Sequence, residues 1–259
     1  MKLHIIAMVL ILLSSCTGSV KHNNTDPDAP NEYHFASLSL SDKKILSFYY
    51  DSVNYDKFGA KFYEHDLPVG QQDIMLHEEN IYVLDRFHNN IKVLNMDGEL
   101  LKSTSPLSKN SQLWLKQIDV LNDNFIVISE LDSIYIFNKD LSLIGRKYLK
   151  KGNGRIFYSS RDKVVLYYPQ NEHEFIEIDA NGKITKSLKG LEHKYDYPSL
   201  TDFSKEGTVK CDGKIFYCPK DLDLQDKIFD IDNTVITYFD QNNDSLRIFL
   251  MFFEEISSK

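Results

Sequence analysis

Residues 81–103 read IYVLDRFHNNIKVLNMDGELLKS. Two apolar pentads, IYVLD (81–85) and IKVLN (91–95), flank a polar turn. The second leads through Met96-Asp97-Gly98 into ELLKS (99–103). Ile, Val and Tyr dominate the runs, and Asn, Asp and Gly punctuate them. Short β-branched runs bounded by such residues read as strands joined by tight hairpins. Gly98 is placed where such a turn needs positive φ.

The same order recurs downstream. FIVIS (125–129) and IYIFN (134–138) precede Lys139-Asp140 and LSLIG (141–145). VVLYY (164–168) and FIEID (175–179) precede Ala180-Asn181-Gly182 and KITKS (183–187). IFYCP (215–219) and KIFDI (227–231) precede Asp232-Asn233 and TVITYF (234–239). Each unit also has a preceding strand candidate: DIML (73–76), QIDVL (117–121), RIFYS (155–159) and GTVKC (207–211). Four short strands per unit of roughly 40–45 residues predict an all-β chain built as a β-propeller. A blade cannot cover both its faces alone and must stack on its neighbours. ILSFYYD (45–51) and AKFYEHD (60–66) read as a further, less regular unit upstream, and LRIFLMFF (246–253) as a trailing strand. The expectation is five to six four-stranded blades over residues 35–259, complete or missing part of a blade. An irregular β-sandwich is the alternative. An open arc would leave sheet edges bare, so either the last strands close the ring with N-terminal residues or a partner covers the gap.

The segment 81–98 resembles the NHL-type propeller repeat, in which an apolar strand ending in Asp meets an Asn-bearing turn, a second apolar strand and a closing Asp-Gly. Asp85, Asn89 or Asn90, and Asp97-Gly98 hold those places. Ser129, Tyr168 and Pro219 stand at the Asp85 position of the other units, which are degenerate copies. Asn181-Gly182 repeats the closing turn.

The chain starts MKLHIIAMVLILLSSC. Lys2 precedes an uncharged apolar stretch from Ile5 to Leu13, which is too short to span a bilayer. Leu-Ser-Ser-Cys is similar to the lipobox of bacterial lipoproteins. Residues 1–15 are therefore expected to be a signal peptide and Cys16 a lipidated residue, with more than one acyl chain giving stable anchoring. Thr17 follows in place of the Asp that retains lipoproteins at the inner membrane, which implies an outer-membrane address. Residues 16–34 are polar after the Cys and read as a flexible tether. Leader and repeats together resemble six-bladed propeller lipoproteins of uncharacterised function from Gram-negative bacteria. This chain is short for them, which keeps a truncated, non-functional remnant among the readings.

The net charge is −8, one unit more negative without the leader, and no Lys/Arg-rich run stands out. That argues against nucleic acid as a partner. Of three Cys, Cys211 and Cys218 remain after Cys16. Asp212-Gly213 predicts a two-residue hairpin that sets Cys211 opposite Lys214, so two buried free thiols are expected rather than a disulfide.

Chemistry is sparsely signalled. No HxH, HExxH or CxxC spacing occurs, so no metal site is expected. GxSxG is missing. KKGNGR (150–155) lacks the phosphate-loop pattern and reads as a loop between blades, where Lys151 and Arg155 would make a funnel mouth electropositive. Trp114 and the Tyr195 and Tyr197 rings of HKYDYP could form a sugar-stacking platform; the alternative is blade packing. His173 between Glu172 and Glu174 reads as a solvated turn, and DLDLQD (221–226) as a surface turn without a calcium-loop Gly. Carboxylates at Glu64, Asp66, Asp85, Glu130, Asp132, Asp221, Asp223 and Asp226 leave open a polysaccharide hydrolase or lyase. The leading expectation is a non-catalytic, cofactor-free binding module for protein or glycan, with its ligand at an end of the central channel.

Overall fold

The computed structural model describes residues 36–51, 53–54, 56–60, 71–104, 115–121, 124–129, 133–149, 154–159, 163–168, 174–179, 181–189, 202–203, 208–211, 214–219, 222, 229–232, 234–241 and 244–256. The described residues form strands and turns and no helix.

Three four-stranded antiparallel sheets follow one another along the chain. Blade I comprises β2 (Gln71–His77), β3 (Asn80–Asp85), β4 (Asn90–Asn95) and β5 (Leu100–Ser103). Blade II comprises β6 (Leu115–Leu121), β7 (Asn124–Ser129), β8 (Ser133–Phe137) and β9 (Leu143–Tyr148). Blade III comprises β10 (Arg155–Ser159), β11 (Lys163–Tyr168), β12 (Glu174–Asp179) and β13 (Ile184–Leu188). The remaining strands are β1 (Ala36–Tyr49), β14 (Asp202–Phe203), β15 (Thr208–Cys211), β16 (Lys214–Tyr217), β17 (Phe229–Asp232), β18 (Val235–Gln241) and β19 (Ser245–Glu255). They form one seven-stranded sheet in the order β14-β15-β16-β1-β19-β18-β17.

That sheet is two blades sharing β1. Residues Ala36–Ser39 of β1 pair in parallel with β16 and complete blade IV. From Leu38 to Tyr49, β1 pairs antiparallel with β19 and completes blade V. The chain is thus a propeller of five blades, the last two of which share its first strand. This corrects three sequence expectations. ILSFYYD is not part of a separate upstream unit: Ile45–Tyr49 belong to β1, and residues 61–66 of AKFYEHD lie outside the described residues. KIFDI and TVITYF do not finish the fourth unit but open blade V as β17 and β18, and the trailing strand is its third, β19. GTVKC is the second strand of blade IV, because β14 precedes it. These errors share a cause. A strand supplied from the far end of the chain leaves no local signal, so a four-strand count read in order slips at the joint.

The apolar runs do not alternate because both faces of the middle strands are covered. Ile81 and Val83 of β3 and Leu94 of β4 pack with Leu46, Phe239, Leu246, Ile248 and Leu250 in the V–I seam. Tyr82, Leu84, Ile91 and Val93 face the other way, onto Leu115, Ile118, Tyr135 and Phe137 of blade II. Blades II and III meet through Ile134, Ile136, Val164, Leu166, Ile176 and Ile178. Blades IV and V share Leu38, Phe216, Ile236, Met251 and Phe253. The outer strands β5, β9 and β13 are mostly exposed.

The hairpin between the third and fourth strands is the same object in blades I, II and III. The amides of Gly98, Leu141 and Gly182 donate to the carbonyls of Asn95, Asn138 and Asp179 at 3.0, 2.8 and 2.8 Å. The side-chain oxygens of Asn95, Asn138 and Asp179 each accept two amides of their own turn: those of Asp97 and Glu99, Asp140 and Ser142, and Asn181 and Lys183. The geometry demands positive φ at the third position: 85° at Gly98, 73° at Gly182 and 58° at Leu141. Leu141 accepts that backbone conformation while its side chain joins the I–II core.

Candidate functional site

Asp85, His88, Asn90 and Lys92 are all buried, and they sit on the blade I face turned toward blade V. One Asp85 oxygen accepts from Lys92 Nζ and His88 Nδ1, each at 2.9 Å, and from the Gly59 amide at 3.3 Å. The other accepts from the His88 amide at 3.2 Å. Lys92 also donates to Asn90 Oδ1 at 2.9 Å, and its ammonium lies 5.6 Å from the centre of the Phe58 ring. Burial pulls the Lys92 ammonium below its ordinary value, and Asp85 opposes that pull. This cluster reaches out of blade I and holds the loop that follows β1. Gln71 grips the same loop by donating to the Gly59 carbonyl at 3.3 Å. The fit leaves no room at Gly59: an added Cβ would stand 2.3 Å from Phe87 Cδ1 and 2.5 Å from His88 Cε1.

The loop is itself internally built. The Asp51 amide donates to the Phe58 carbonyl at 2.8 Å, and the Asp51 carboxylate accepts the Val53 and Asn54 amides. Those amide bonds hold the Asp51 carboxyl below its ordinary range. Phe58 turns inward and meets Phe48 edge-on, with ring centres 5.0 Å apart. Between this loop, the end of β1 and the outer half of blade I runs an open groove of about 450 Å³. Its walls carry Tyr49, Tyr50, Asp51, Asp56, Lys57 and Phe58, and Gly98 and Leu100 close the blade I side. Tyr49 is 80% exposed. Burial, and then Asp85 and Asp240, raise the Tyr50 hydroxyl. Lys44 of β1 pairs with Asp97 beside Gly98 and ties the two walls across the seam.

A second polar set lines the innermost strands. Asp230 of β17 accepts the Leu76 amide of β2 at 2.7 Å, which joins blade V to blade I. Asp73 of β2 accepts the Ile118 amide of β6 at 2.9 Å, and so joins I to II. Gln117 of β6 accepts the Ile156 amide of β10 at 2.7 Å and joins II to III. Asp119 on β6 is fully buried and Asp230 nearly so. Burial lifts the Asp73 carboxyl to about 7 and that of Asp230 well above its ordinary value; repulsion from Asp119 adds to both, and Asp73 and Asp232 add further to Asp230. Chemically these are acceptors that staple one inner strand to the next.

The structure places Asp85 at the end of β3, Asn89 (φ 53°) in the turn, Asn90 at the start of β4, and Asp97-Gly98 and Asn181-Gly182 in the repeated hairpin. Asp85 and Asn90 come together around Lys92. Cys16, Trp114, Lys151, Tyr195 and Tyr197 lie outside the described residues, as do Glu64, Asp66, Glu130, Asp132, His173, Asp221, Asp223 and Asp226. Arg155 opens β10, and its side chain is not among those described. Cys218 is a free, half-buried thiol that burial pushes up to about 11, and β15 pairs with β16 so that Cys211 faces Lys214. Sequence reasoning missed Lys92, His88 as a partner of Asp85, the Asp51–Phe58 loop and the inner carboxylates. One signal was present: Asp73, Asp119 and Asp230 each interrupt an apolar strand in QDIML, QIDVL and IFDID. A charge inside a buried strand needs a partner. Among the described residues no group of three or more His, Cys, Asp or Glu is arranged to hold a metal ion.

No family profile matches the chain, and no curated protein does. Solved structures of propeller type are similar to it. Virginiamycin B lyase from Staphylococcus aureus is 13% identical with a TM-score of 0.42, covering 84% of this chain and 61% of its own. Myxococcus xanthus glutaminyl cyclase is 5% identical with a TM-score of 0.45, covering 86% and 99%. The Neurospora crassa Pan2 WD40 domain is 8% identical with a TM-score of 0.43, covering 87% and 92%. The chain spans about three fifths of the length of the streptogramin B and virginiamycin B lyases. The five-blade assignment stands on the strand order and pairings given above.

Proposed function

We propose that the protein is a membrane-tethered binding module of the bacterial cell envelope. In this reading lipid on Cys16 anchors the chain at the outer membrane after removal of residues 1–15. The tether then leads into β1, and the propeller offers its V–I seam to a protein or glycan ligand. The observation that carries the reading is the groove: an open, aromatic-walled recess whose outer loop is braced by a buried ion cluster. Preformed concave sites with a few placed polar groups are what ligand recognition uses. The ligand position differs from the sequence expectation, which put it at a channel end.

Two measurements test this. Mass spectrometry of the protein from native membranes should find diacylglyceryl-Cys at Cys16, and Cys16→Ser should release the chain from the membrane fraction. Full-length protein in neutral detergent should retain members of a peptide or glycan library that Tyr49→Ala loses. An unmodified Cys16, or retention indifferent to Tyr49, would sink the corresponding half of the proposal.

A specific observation favours one other reading, a hydrolase or lyase. Asp73 and Asp230 are two carboxyls with raised pKa on adjacent inner strands, as acid–base catalysis requires. Against it, Asp230 and Asp119 are closed to solvent, and backbone amides of the neighbouring blade already engage Asp73 and Asp230. Turnover of an envelope polysaccharide that is lost in Asp73→Asn, with the fold intact, would establish the enzyme.

A further inference from the structure

The groove walls are not electrically neutral. Asp51 and Asp56 stand against Lys57 alone among the charged residues that line it. The Asp56 carboxylate has no hydrogen-bond or ion-pair partner among the described residues, although its amide is held by Asn54 Oδ1 at 3.0 Å. Asp51 spends one oxygen on the Val53 and Asn54 amides. Lys92 lies behind the Phe58 ring, and Asp85 and Asn90 already take up its ammonium. Asp85 and Asp240 both act, after burial, to raise the Tyr50 hydroxyl. At the other wall Lys44 offsets Asp97. The Tyr49 ring projects into solvent above this acidic recess.

We propose that the groove seats a cationic side chain, an arginine or lysine carried on an extended polypeptide, with Tyr49 as the stacking face and Asp56 and Asp51 as the counter-charges. This rests on the binding reading above and names its ligand class. A guanidinium or ammonium over an aromatic face gains from the ring quadrupole, and a nearby carboxylate adds a charge-assisted bond. A neutral sugar uses the ring but gains nothing from the net negative field. The chain's overall charge of −8 acts in the same direction by steering cations toward it. The partner is therefore a basic polypeptide segment.

The test uses full-length protein in neutral detergent and three fluorescein-labelled octapeptides. One alternates Arg with Gly, one has Gln for each Arg, and one has Glu. Fluorescence anisotropy should show binding of the Arg peptide only, weakening as salt is raised. Tyr49→Ala and Asp56→Asn should each weaken it about tenfold. Asp140→Asn, at an exposed hairpin turn of blade II outside the groove, should leave it unchanged. Thermal melts of the three variants should match that of the parent protein.

Equal binding of the Arg and Gln peptides, or of a neutral oligosaccharide, with loss in Tyr49→Ala, overturns the cationic ligand and leaves the binding module standing. An equal loss in Asp140→Asn reduces the effect to general charge attraction and also overturns it. Failure of every peptide and glycan probe removes the binding module together with its ligand class.

Discussion

Ile81, Val83, Asp85, Asn90, Lys92 and Leu94 face blade V, whereas Tyr82, Leu84, Ile91 and Val93 on the same two strands face blade II. The second face packs apolar side chains, Met75, Tyr82 and Leu84 against Ile118, Phe125 and Phe137, with the Asp73 staple at its inner edge and no buried ion pair among the described residues. The first closes with an apolar centre plus a buried ion cluster that grips the loop after β1. Chain connectivity accounts for the difference. Blades I and II are consecutive, and apolar burial makes up most of their contact. Blades V and I are the last and first in the chain, and the loop at their outer edge follows β1, which returns from the start of the chain to complete blade V. There a non-directional apolar contact fixes the loop less well than bonds of defined direction, and the groove lies beside those bonds.

The comparison breaks most visibly at Lys92. Lys92→Met strands Asp85 without its cation and should cost about 3–5 kcal/mol, read by urea unfolding. Met75→Ala on the other face should cost about 2–5 kcal/mol through its cavity. Only the first is repairable: adding Asp85→Asn should return most of the loss, because no buried charge then remains. If the double variant is as unstable as Lys92→Met, the seam does not depend on charge pairing.

Gly59→Ala drives a Cβ into Phe87 and His88, and overpacking of this kind costs about 1–3 kcal/mol. It should also displace the groove loop, seen as changed Phe58 ring signals by NMR. The equivalent overpacking in the I–II seam should leave those signals in place.

The inner staples sharpen the comparison through pH. Asp73 titrates near 7 in the folded chain, against roughly 3.9 when unfolded. Its folded pKa is the higher of the two, so its contribution is full below pH ~4 and is lost as pH climbs to about 7. Melting temperature should fall across that window. Asp73→Asn should remove Asp73's share of the slope, whatever constant offset the lost acceptor introduces. An unchanged slope would show that Asp73 ionises normally.

The smallest effects belong to the hairpins. Gly182→Ala puts a Cβ at positive φ and 2.7 Å from Ile136 Cδ1, and should cost about 1–2 kcal/mol. Leu141→Gly relieves about as much strain as it loses in burial, and should change stability by less than about 1 kcal/mol. A large loss at Leu141 would mean that its side chain outweighs its backbone.

The sequence disclosed whatever was local. Strands β2 to β13 and the Gly98 and Gly182 turns follow from period, β-branched content and Asp/Asn-Gly punctuation. The blade IV–V joint was not legible, because β1 is shared by two blades whose other strands lie more than 150 positions away. The groove was hidden for the same reason: Tyr49 and Phe58 flank a loop whose facing wall, Leu94 to Leu100, belongs to another blade. Asp85 was legible as a turn residue through its repeat position. Its role as anchor of Gly59 depends on a tertiary contact that spacing does not encode.

The strand shared by blades IV and V also sets an order of events. Ser41 bonds to the carbonyl of Phe252, 211 residues on, so β1 has no antiparallel partner until β19 arrives. Contacts this distant are slow to form, because the loop must be closed before the pairing rewards it. Until then, the fourteen residues of β1 are open to the wrong neighbour. The protein's most vulnerable interval is therefore the one between the making of β1 and the arrival of β19, and a shielding chaperone would act best on β1.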